Sequence, residues 1–413
     1  MNATIFPALE IPETLAAGPG PGKTDARVLA AFARAGLADH MQTDVLRGMI
    51  ECKHMLRTLW GTQNIHTYGV GGTGFSGLDC MLNAILPGDS VVAFTNGTFS
   101  GIDGLTIRMK AATRDDLAAN PMDPKPAGVT IVTVPHGQSV DGDLMARTLA
   151  EKRPKWAFTA HWETGSGRVN DLQGFSDACL AHGAMGLVDA VSSLGVADFA
   201  IDDFPGVVGW ASCPQKGVLG LPLTYAPVSF TDRFIEEVRK SGCPSYVHHP
   251  ILEGRHWGIL DGQDVTTPSY HRTHSAYAIA SFHEALRINL QHGRAQKARD
   301  YAFHEAALRA AVIAMDCAVT SNMTSLVVLN LPAGLAGREK ELVQACRARG
   351  FGVWPTLSEP VQVRIGILNQ LSEAAITDIV QRFAAAMSEM GAEIDMTRVR
   401  LGLSRHYATA VAA

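Results

Sequence analysis

The chain has no excess of positive charge, no long apolar run and no paired cysteine motif. Its 413 residues carry 35 lysines and arginines against 40 aspartates and glutamates, so it offers no basic field for nucleic acid or an acidic membrane surface. No apolar stretch approaches the roughly 18 residues that a membrane span requires. We therefore expect neither nucleic acid nor a membrane among its partners.

The seven cysteines are scattered and contain no CxxC pair. This pattern argues against a disulfide framework or a zinc site and favours a reducing compartment. Residues 1–10 lack the basic start and apolar core of a secretory signal. The sequence therefore predicts a cytoplasmic protein without a metal site.

The composition and the order of apolar segments predict an α/β fold. With 46% hydrophobic residues and 40 glycines, a chain of 413 residues is usually divided into two domains. Short apolar runs alternate with helical patterns, which is typical of a mainly parallel sheet. The runs predicted as strands are residues 90–95, 129–134, 156–161, 185–189 and 207–212.

The pattern changes near residue 290. Long alanine-rich helices follow, and then two predicted strands and two predicted helices, which together indicate a smaller α+β domain. The tail after Met390 shows no clear pattern. We expect an N-terminal arm (1–20), a large domain (21–288), a small domain (289–395) and a tail (396–413).

Two residues at the ends of apolar runs indicate the chemistry. Asp189 ends the run 185–189, and Lys216 ends the run 207–216, 27 residues later. An acid at the end of one buried strand and a lysine just past the next suit an enzyme that uses pyridoxal 5'-phosphate. The amine holds the cofactor aldehyde as a Schiff base, and the carboxylate keeps the ring nitrogen protonated.

Residues 68–76 (YGVGGTGFS) form a glycine-rich segment ahead of a predicted helix at residues 78–85. Backbone N–H groups of such a segment, together with the helix dipole, can bind a phosphate. Gly69, Gly71 and Gly74 also match GxGxxG. A dinucleotide site, however, needs a clear strand before the glycines and an acid at a strand end, whereas Asp89 lies in a turn. The dinucleotide interpretation is therefore the weaker alternative.

These residues stand in motifs that resemble the class V aminotransferases of fold type I, in particular the branch of alanine:glyoxylate and serine:glyoxylate aminotransferases. The resemblance spans about residues 18–390 and implies a large domain with a mainly parallel seven-stranded sheet. The motifs, in the family's order, are Gly18-Pro-Gly-Pro21, Gly72-Thr-Gly74, Asn96-Gly-Thr-Phe99, HWETGSG at 161–167, VDAVSS at 188–193, PQKG at 214–217, YHRT at 270–273 and VRIG at 363–366.

The resemblance also implies residue roles. Lys216 would form the Schiff base and, once released, move a proton between the substrate Cα and the cofactor. Asp189 would pair with the protonated ring nitrogen, a contact that shifts such a pKa by roughly 1 to 3 units. Arg364 would bind the substrate carboxylate, because a guanidinium fork matches it. A surface lysine, a turn-capping aspartate and an arginine in a surface ion pair are the respective alternatives.

The other implied contacts surround the cofactor. Phe99 would stack on the ring, unless it is an ordinary core aromatic, and Thr164 would meet the phenolic oxygen or the substrate, unless it only shapes a turn. The phosphate cup would consist of Gly72, Thr73, Gly74 and Gln215, with Tyr270 and Thr273 contributed across a subunit interface. Phe75 follows where relatives often carry a polar residue. The expected assembly is a homodimer, or a tetramer, with shared active sites.

The resemblance implies transfer of an amino group from a small amino acid or amine to glyoxylate or pyruvate. A lyase, an aminophosphonate or pyridoxamine transaminase, and a non-enzymatic binding protein remain alternatives. Desulfuration is disfavoured, because desulfurases usually carry His at the positions of Gln215 and Phe99 and a cysteine ahead of the substrate arginine. Two segments depart from the pattern: the insertion 110–128, and residues 246–257 with three histidines. The histidine-rich stretch is a candidate for lining the pocket near the partner subunit or for binding a metal, but no HExxH or acidic partner spacing supports a metal, and an ordinary loop is favoured over a metal site.

Overall fold

The computed structural model describes residues 8–36 and 38–411, so the first seven residues of the expected arm and the last two of the tail lie outside it. A seven-stranded sheet forms the centre, in the order β1-β7-β6-β5-β4-β2-β3. β7 is antiparallel to both of its neighbours, and the other pairs are parallel. The strands are β1 (His66–Gly71), β2 (Val91–Thr95), β3 (Val129–Thr133), β4 (Trp156–Ala160), β5 (Met185–Asp189), β6 (Val207–Ala211) and β7 (Tyr225–Phe230).

Helices accompany the sheet, and the central strands β2, β4, β5 and β6 are buried along their whole length. Apolar residues therefore occur at successive positions rather than alternately, because both faces of such strands are covered. These helices are α1 (Ala26–Arg34), α2 (Thr43–Trp60), α3 (Gly74–Leu82), α4 (Thr98–Ala111), α5 (Arg114–Ala119), α6 (Gly142–Lys152), α7 (Leu172–His182), α8 (Asp232–Ser241), α9 (Pro250–His256) and α10 (Ala276–His292). The expected mainly parallel α/β sheet of seven strands is confirmed.

A second apolar core forms around a four-stranded antiparallel sheet later in the chain. Its strands, in the order β8-β9-β11-β10, are β8 (Ala318–Val319), β9 (Leu326–Asn330), β10 (Trp354–Pro355) and β11 (Val363–Gly366). Its helices are α11 (Arg294–Ile313), α12 (Glu339–Ala348), α13 (Glu373–Glu389) and α14 (Met396–Val411). The division of the chain at residues 20, 288 and 395 stays a prediction.

Strands β1 and β7 of the large sheet and helix α14 were not predicted from the sequence. β1 does precede the glycines, but it begins with His66 and Thr67, which hide it from a search for apolar runs; the Thr67 hydroxyl pairs with Ser229 of β7 at 2.8 Å. The other argument against a dinucleotide site, the lack of an acid at a strand end, holds, since Asp89 lies ahead of β2 and accepts bonds from Leu86 and Trp156.

The tail after Met390 does contain a helix, α14, and its Val399 is fully buried.

Across residues 8–36 and 38–411, we find no helix whose length and apolar character would let it cross a bilayer.

Candidate active site

The cleft of interest lies where parallel strands of the large sheet end. β5 ends at Asp189, which pairs in register with Ala211, the last residue of β6. The turn after β6 then carries Lys216 back over that edge. Ligands of open α/β sheets bind at this carboxyl edge. The predicted site residues that line the cleft are Thr73, Gly74, Phe99, Thr164, Asp189, Gln215 and Lys216.

Lys216 is held in the cleft by two hydroxyl groups. Its Nζ lies 3.0 Å from Ser192 Oγ and 3.4 Å from Thr164 Oγ1. Gly20 packs against its stem so closely that a Cβ there would lie 3.0 Å from Lys216 Cε. Burial lowers the pKa of the Lys216 ammonium group. A larger fraction of the amine is therefore neutral and nucleophilic at physiological pH.

Asp189 is 5% exposed and accepts a hydrogen bond of 2.6 Å from the backbone N–H of Val191. Burial raises its pKa to about 6. Asp103 lines the same cleft from α4 and is 2% exposed. Asp103 was not predicted from the sequence; it lies four residues after Phe99, on the same helix face.

The glycine segment forms an anion cradle. β1 ends at Gly71, Gly72 turns the chain with a φ of +130°, and Thr73 precedes α3 without capping it through its side chain. The first N–H groups of α3 are thus left for a ligand, and the helix dipole favours an anion. Gly74 packs tightly, since a Cβ there would lie 2.9 Å from Val191 Cγ2.

Gln215 adds a polar group to this end of the cleft. Its side-chain oxygen is buried, and no residue in the described part of the chain satisfies it. A buried amide without a protein partner calls for a polar ligand. The open helix end and the tight glycines therefore fit a phosphate, while Lys216 and Asp189 fit an aldehyde and a ring nitrogen.

Glu163 holds the start of the helix that carries Phe99. This residue was also not predicted from the sequence. Its carboxylate is 1% exposed and accepts 2.7 Å bonds from the backbone N–H and the hydroxyl of Ser100. The N–H of Gly165 donates a further bond of 2.5 Å. A carboxylate at the start of α4 also interacts favourably with the helix dipole. Phe99 is thereby placed in the cleft, with its ring centroid 5.6 Å from Lys216 Nζ.

Arg364 lies on β11 and is not among the residues that line the cleft. It is 2% exposed, so the alternative of a surface ion pair is wrong. Its Nε and Nη2 donate to the carbonyl of Pro355 at 3.1 and 2.8 Å, and Nη1 donates to the carbonyl of Thr164 at 3.0 Å. Burial lowers its pKa to about 10, which leaves it cationic at neutral pH. Three bonds use three of the five guanidinium N–H groups, so two remain for another acceptor.

Tyr270 and Thr273 do not reach the cleft of their own chain. Both are exposed, and their hydroxyls lie 3.3 Å apart. Between them, Arg272 forms an ion pair of 2.6 Å with the buried Glu253. Its guanidinium also fills the space beside Gly71, where a Cβ would lie 2.6 Å from Nη1. The loop with Tyr270 and Thr273 is thus fixed against the strand that leads into the glycine segment.

The histidines of residues 246–257 have separate local contacts. His248 lies 2.8 Å from Asp79, His249 accepts a bond from the N–H of Ile251, and His256 stacks on His274 with ring centroids 3.7 Å apart. The described residues contain no group of three or more His, Cys, Asp or Glu side chains suited to a metal ion. In the insertion 110–128, the structure places the short helix α5.

Comparison with known sequences gives several aminotransferase relatives, although no family model matches the chain. Alanine–glyoxylate aminotransferase of Drosophila melanogaster is 27% identical over 282 residues, covering 67% of this chain and 66% of that protein. The rat (Rattus norvegicus) protein of the same name is 30% identical over 288 residues, covering 69% and 64%. (S)-ureidoglycine–glyoxylate transaminase of Bacillus subtilis is 24% identical over 361 residues, covering 81% and 80%. The chain thus spans just under two thirds of the length of these alanine–glyoxylate relatives.

Solved structures show the same fold over nearly the whole chain. Ureidoglycine–glyoxylate aminotransferase from Bacillus subtilis superimposes with a TM-score of 0.86 at 21% identity, covering 97% of this chain and 99% of that one. Pyridoxamine–pyruvate aminotransferase from Mesorhizobium loti gives 0.82 at 19% identity, covering 98% and 99%. The chain is therefore similar in sequence to the alanine–glyoxylate aminotransferases and has the fold type I architecture that its motifs predict.

Proposed function

We propose that the protein is a pyridoxal phosphate-dependent aminotransferase that moves an amino group from a small amino acid or amine to a small 2-oxo acid, glyoxylate or pyruvate. The observation that carries this proposal is the meeting of Lys216, Asp189 and the open end of α3 in one cleft. The names of the relatives support glyoxylate as the acceptor. Bound in the cleft, the cofactor supplies a ring that takes up the electrons released when a bond to the substrate Cα breaks.

Lys216 has two tasks in this proposal. Its amine, whose pKa burial lowers, would hold the cofactor aldehyde covalently. The same amine would carry the proton between the substrate Cα and C4′ of the cofactor. Ser192 and Thr164 keep Nζ within the cleft during both tasks, since their hydroxyls lie within 3.4 Å of it.

The other residues of the cleft hold and orient the cofactor. Asp189 binds the ring N–H, and Phe99 offers its face for stacking, a contact worth about 1 kcal/mol. Thr73 and Gly74 direct backbone N–H groups to the phosphate, Gly72 turns the chain into this segment, and Gln215 completes that end of the cleft. We assign Thr164 to the phenolic oxygen or the substrate, because its hydroxyl lies beside Lys216 Nζ.

Arg364 sets the preference for an α-carboxylate. Exchange for lysine removes the fork, whose charge-assisted hydrogen bonds contribute about 1.5 to 3 kcal/mol. For Arg364→Lys we expect KM for the amino acid to rise roughly 10- to 150-fold. The cofactor spectrum should stay unchanged. Steady-state kinetics with alanine and serine measure the effect, and pyridoxamine, a donor without a carboxylate, is the control. An equal loss for all donors would contradict this role.

We further propose a homodimer in the cytoplasm, with active sites shared between subunits. Apolar side chains around the glycine segment support a covering subunit, because Phe75 is 51% exposed and Leu223 74% exposed. Leu223 adjoins Thr224, whose carbonyl accepts the N–H of Gly72 at 2.9 Å. Tyr270, 64% exposed, is also free to meet the phosphate of a second copy.

Shared sites predict complementation between two inactive variants. In a heterodimer of Lys216→Ala and a Tyr270→Phe/Thr273→Ala double variant, one site receives an intact set of residues from both chains. We expect activity to return after subunit exchange, up to about half of the wild-type value per heterodimer. Mass spectrometry of the mixture establishes that exchange has occurred. Exchange without recovery would refute the shared site.

A spectral screen of amino donors tests the function itself. We expect single-turnover conversion of the cofactor to its amino form by a small donor such as alanine or serine, and reversal by glyoxylate or pyruvate. The screen includes aminophosphonates and pyridoxamine. A strong preference for 2-oxoglutarate, or turnover without any oxo acid, as in a lyase, would overturn the proposal.

A further inference from the structure

Asp103 is a buried carboxyl group that the proposed function does not yet use. It lies on α4 four residues after Phe99, so both side chains occupy one face of the helix, and both line the cleft. The side chain is 2% exposed, and no donor in the described part of the chain gives a hydrogen bond to its buried Oδ2. An unpartnered polar atom at this depth calls for an explanation.

The neighbours of Asp103 make a negative charge on it costly. The groups that act on it electrostatically are two other carboxyl groups. One is Asp189 at the end of β5, and the other is Glu163, which accepts hydrogen bonds from the first turn of α4. The Glu163 carboxylate is already occupied by the N–H groups of Ser100 and Gly165. Asp189 accepts one backbone bond from Val191 and lines the same cleft as Asp103, with its side chain within hydrogen-bonding reach of Asp103, so it is the group toward which Asp103 can donate. Two adjacent buried carboxyl groups cannot both ionise at low cost, so one of them keeps a proton.

We propose that Asp103 carries this proton and donates it in a hydrogen bond to the Asp189 carboxylate, which makes Asp103 a positioning residue for the aspartate that binds the cofactor ring. The role of Asp189 rests on the proposed function, whereas the proton on Asp103 does not. Burial raises the pKa of Asp103 far above its ordinary range, and the charge of Asp189 raises it further. The hydrogen bond from Asp103 in turn lowers the pKa of Asp189, which burial has raised to about 6.

Infrared spectroscopy of the apoprotein tests the proton directly. The difference spectrum between wild type and Asp103→Asn at pH 8 should contain the carbonyl band of a protonated carboxyl group, lost in the variant. Asp143→Asn, which changes an exposed aspartate in the first turn of α6, is the matched control and should lose no such band. Absence of the band from the Asp103 difference spectrum would overturn the proposal.

Urea denaturation of the apoprotein gives an independent measure. The pKa of Asp103 is raised in the folded state, so its stabilising contribution is complete below its unfolded value near pH 4 and is lost as the pH rises toward the folded value. Relative to Asp103→Asn, the unfolding equilibrium constant of the wild type should therefore increase by up to about tenfold per pH unit between pH 5 and 8. A constant difference between the two proteins over this range would contradict the proposal.

Cofactor binding tests the positioning role. Asparagine keeps a donor toward Asp189, so Asp103→Asn should bind pyridoxal phosphate within about threefold of the wild type, whereas Asp103→Ala should bind roughly tenfold more weakly. Equal affinity of the two variants would refute positioning even if the infrared band is present. A wild-type protein that binds no cofactor would instead refute the proposed function, and the infrared band would still decide where the proton lies.

Discussion

Lys216→Ala lowers the rate of amino transfer by roughly four orders of magnitude, because general acid–base catalysis alone contributes up to about 10⁴-fold. The variant should still bind the cofactor without a covalent bond, since the N-terminal end of α3, Gln215 and Asp189 are unchanged. Single-turnover kinetics and the absorption spectrum measure both effects. Lys152→Ala, at the end of α6, is the control and should behave as the wild type. Full activity of Lys216→Ala would contradict the assignment.

Asp189→Asn has the second largest expected effect. An amide cannot stabilise the protonated ring by charge, and an opposite charge at contact distance shifts such a pKa by roughly 1 to 3 units. The ratio of protonated to unprotonated ring should fall by about 10- to 1,000-fold, and kcat with it. The variant should retain the covalent bond between cofactor and Lys216, which separates this effect from loss of the cofactor. Kinetics at several pH values measure the change.

For this second variant, the matched comparison is Asp103→Asn, which leaves the Asp189 charge in place. It should affect kcat far less than Asp189→Asn does. A kcat of Asp189→Asn within about threefold of the wild type would contradict the pairing of Asp189 with the ring nitrogen.

The central pair, Asp189 and Lys216, was predictable because its signal is local in sequence. Each follows an apolar run long enough to be a buried strand, and parallel strands bring their carboxyl ends together. The glycine segment was predictable for a similar reason. Gly72 adopts a positive φ, a local requirement that favours glycine at this position. The seven-stranded sheet followed from the resemblance, but β1 and β7 were missed, because residues such as His66 and Ser229 interrupt their apolar pattern.

Asp103 and Glu163 could not be assigned from the sequence, because their roles depend on which groups the fold brings beside them. Asp103 acts on Asp189, which lies at the end of β5. Glu163 accepts hydrogen bonds from the first turn of α4. Nothing in the local spacing indicates either contact. Tyr270 and Thr273 present the opposite case: their motif assigned them to a phosphate, and in a single chain they lie away from the cleft. Their assignment stays a prediction until subunit exchange tests it.

Borohydride trapping tests the central claim most directly. Reduction of the holoprotein should fix the cofactor to Lys216 alone, as read from the modified peptide by mass spectrometry. Lys297 is the internal control: burial lowers its pKa to about 7, which makes it a competing neutral amine, but its Nζ donates to Gly217 and Asn289 instead of facing the cleft. Recovery of the cofactor on Lys216 is the predicted result. Recovery on Lys297 or any other lysine would contradict the account.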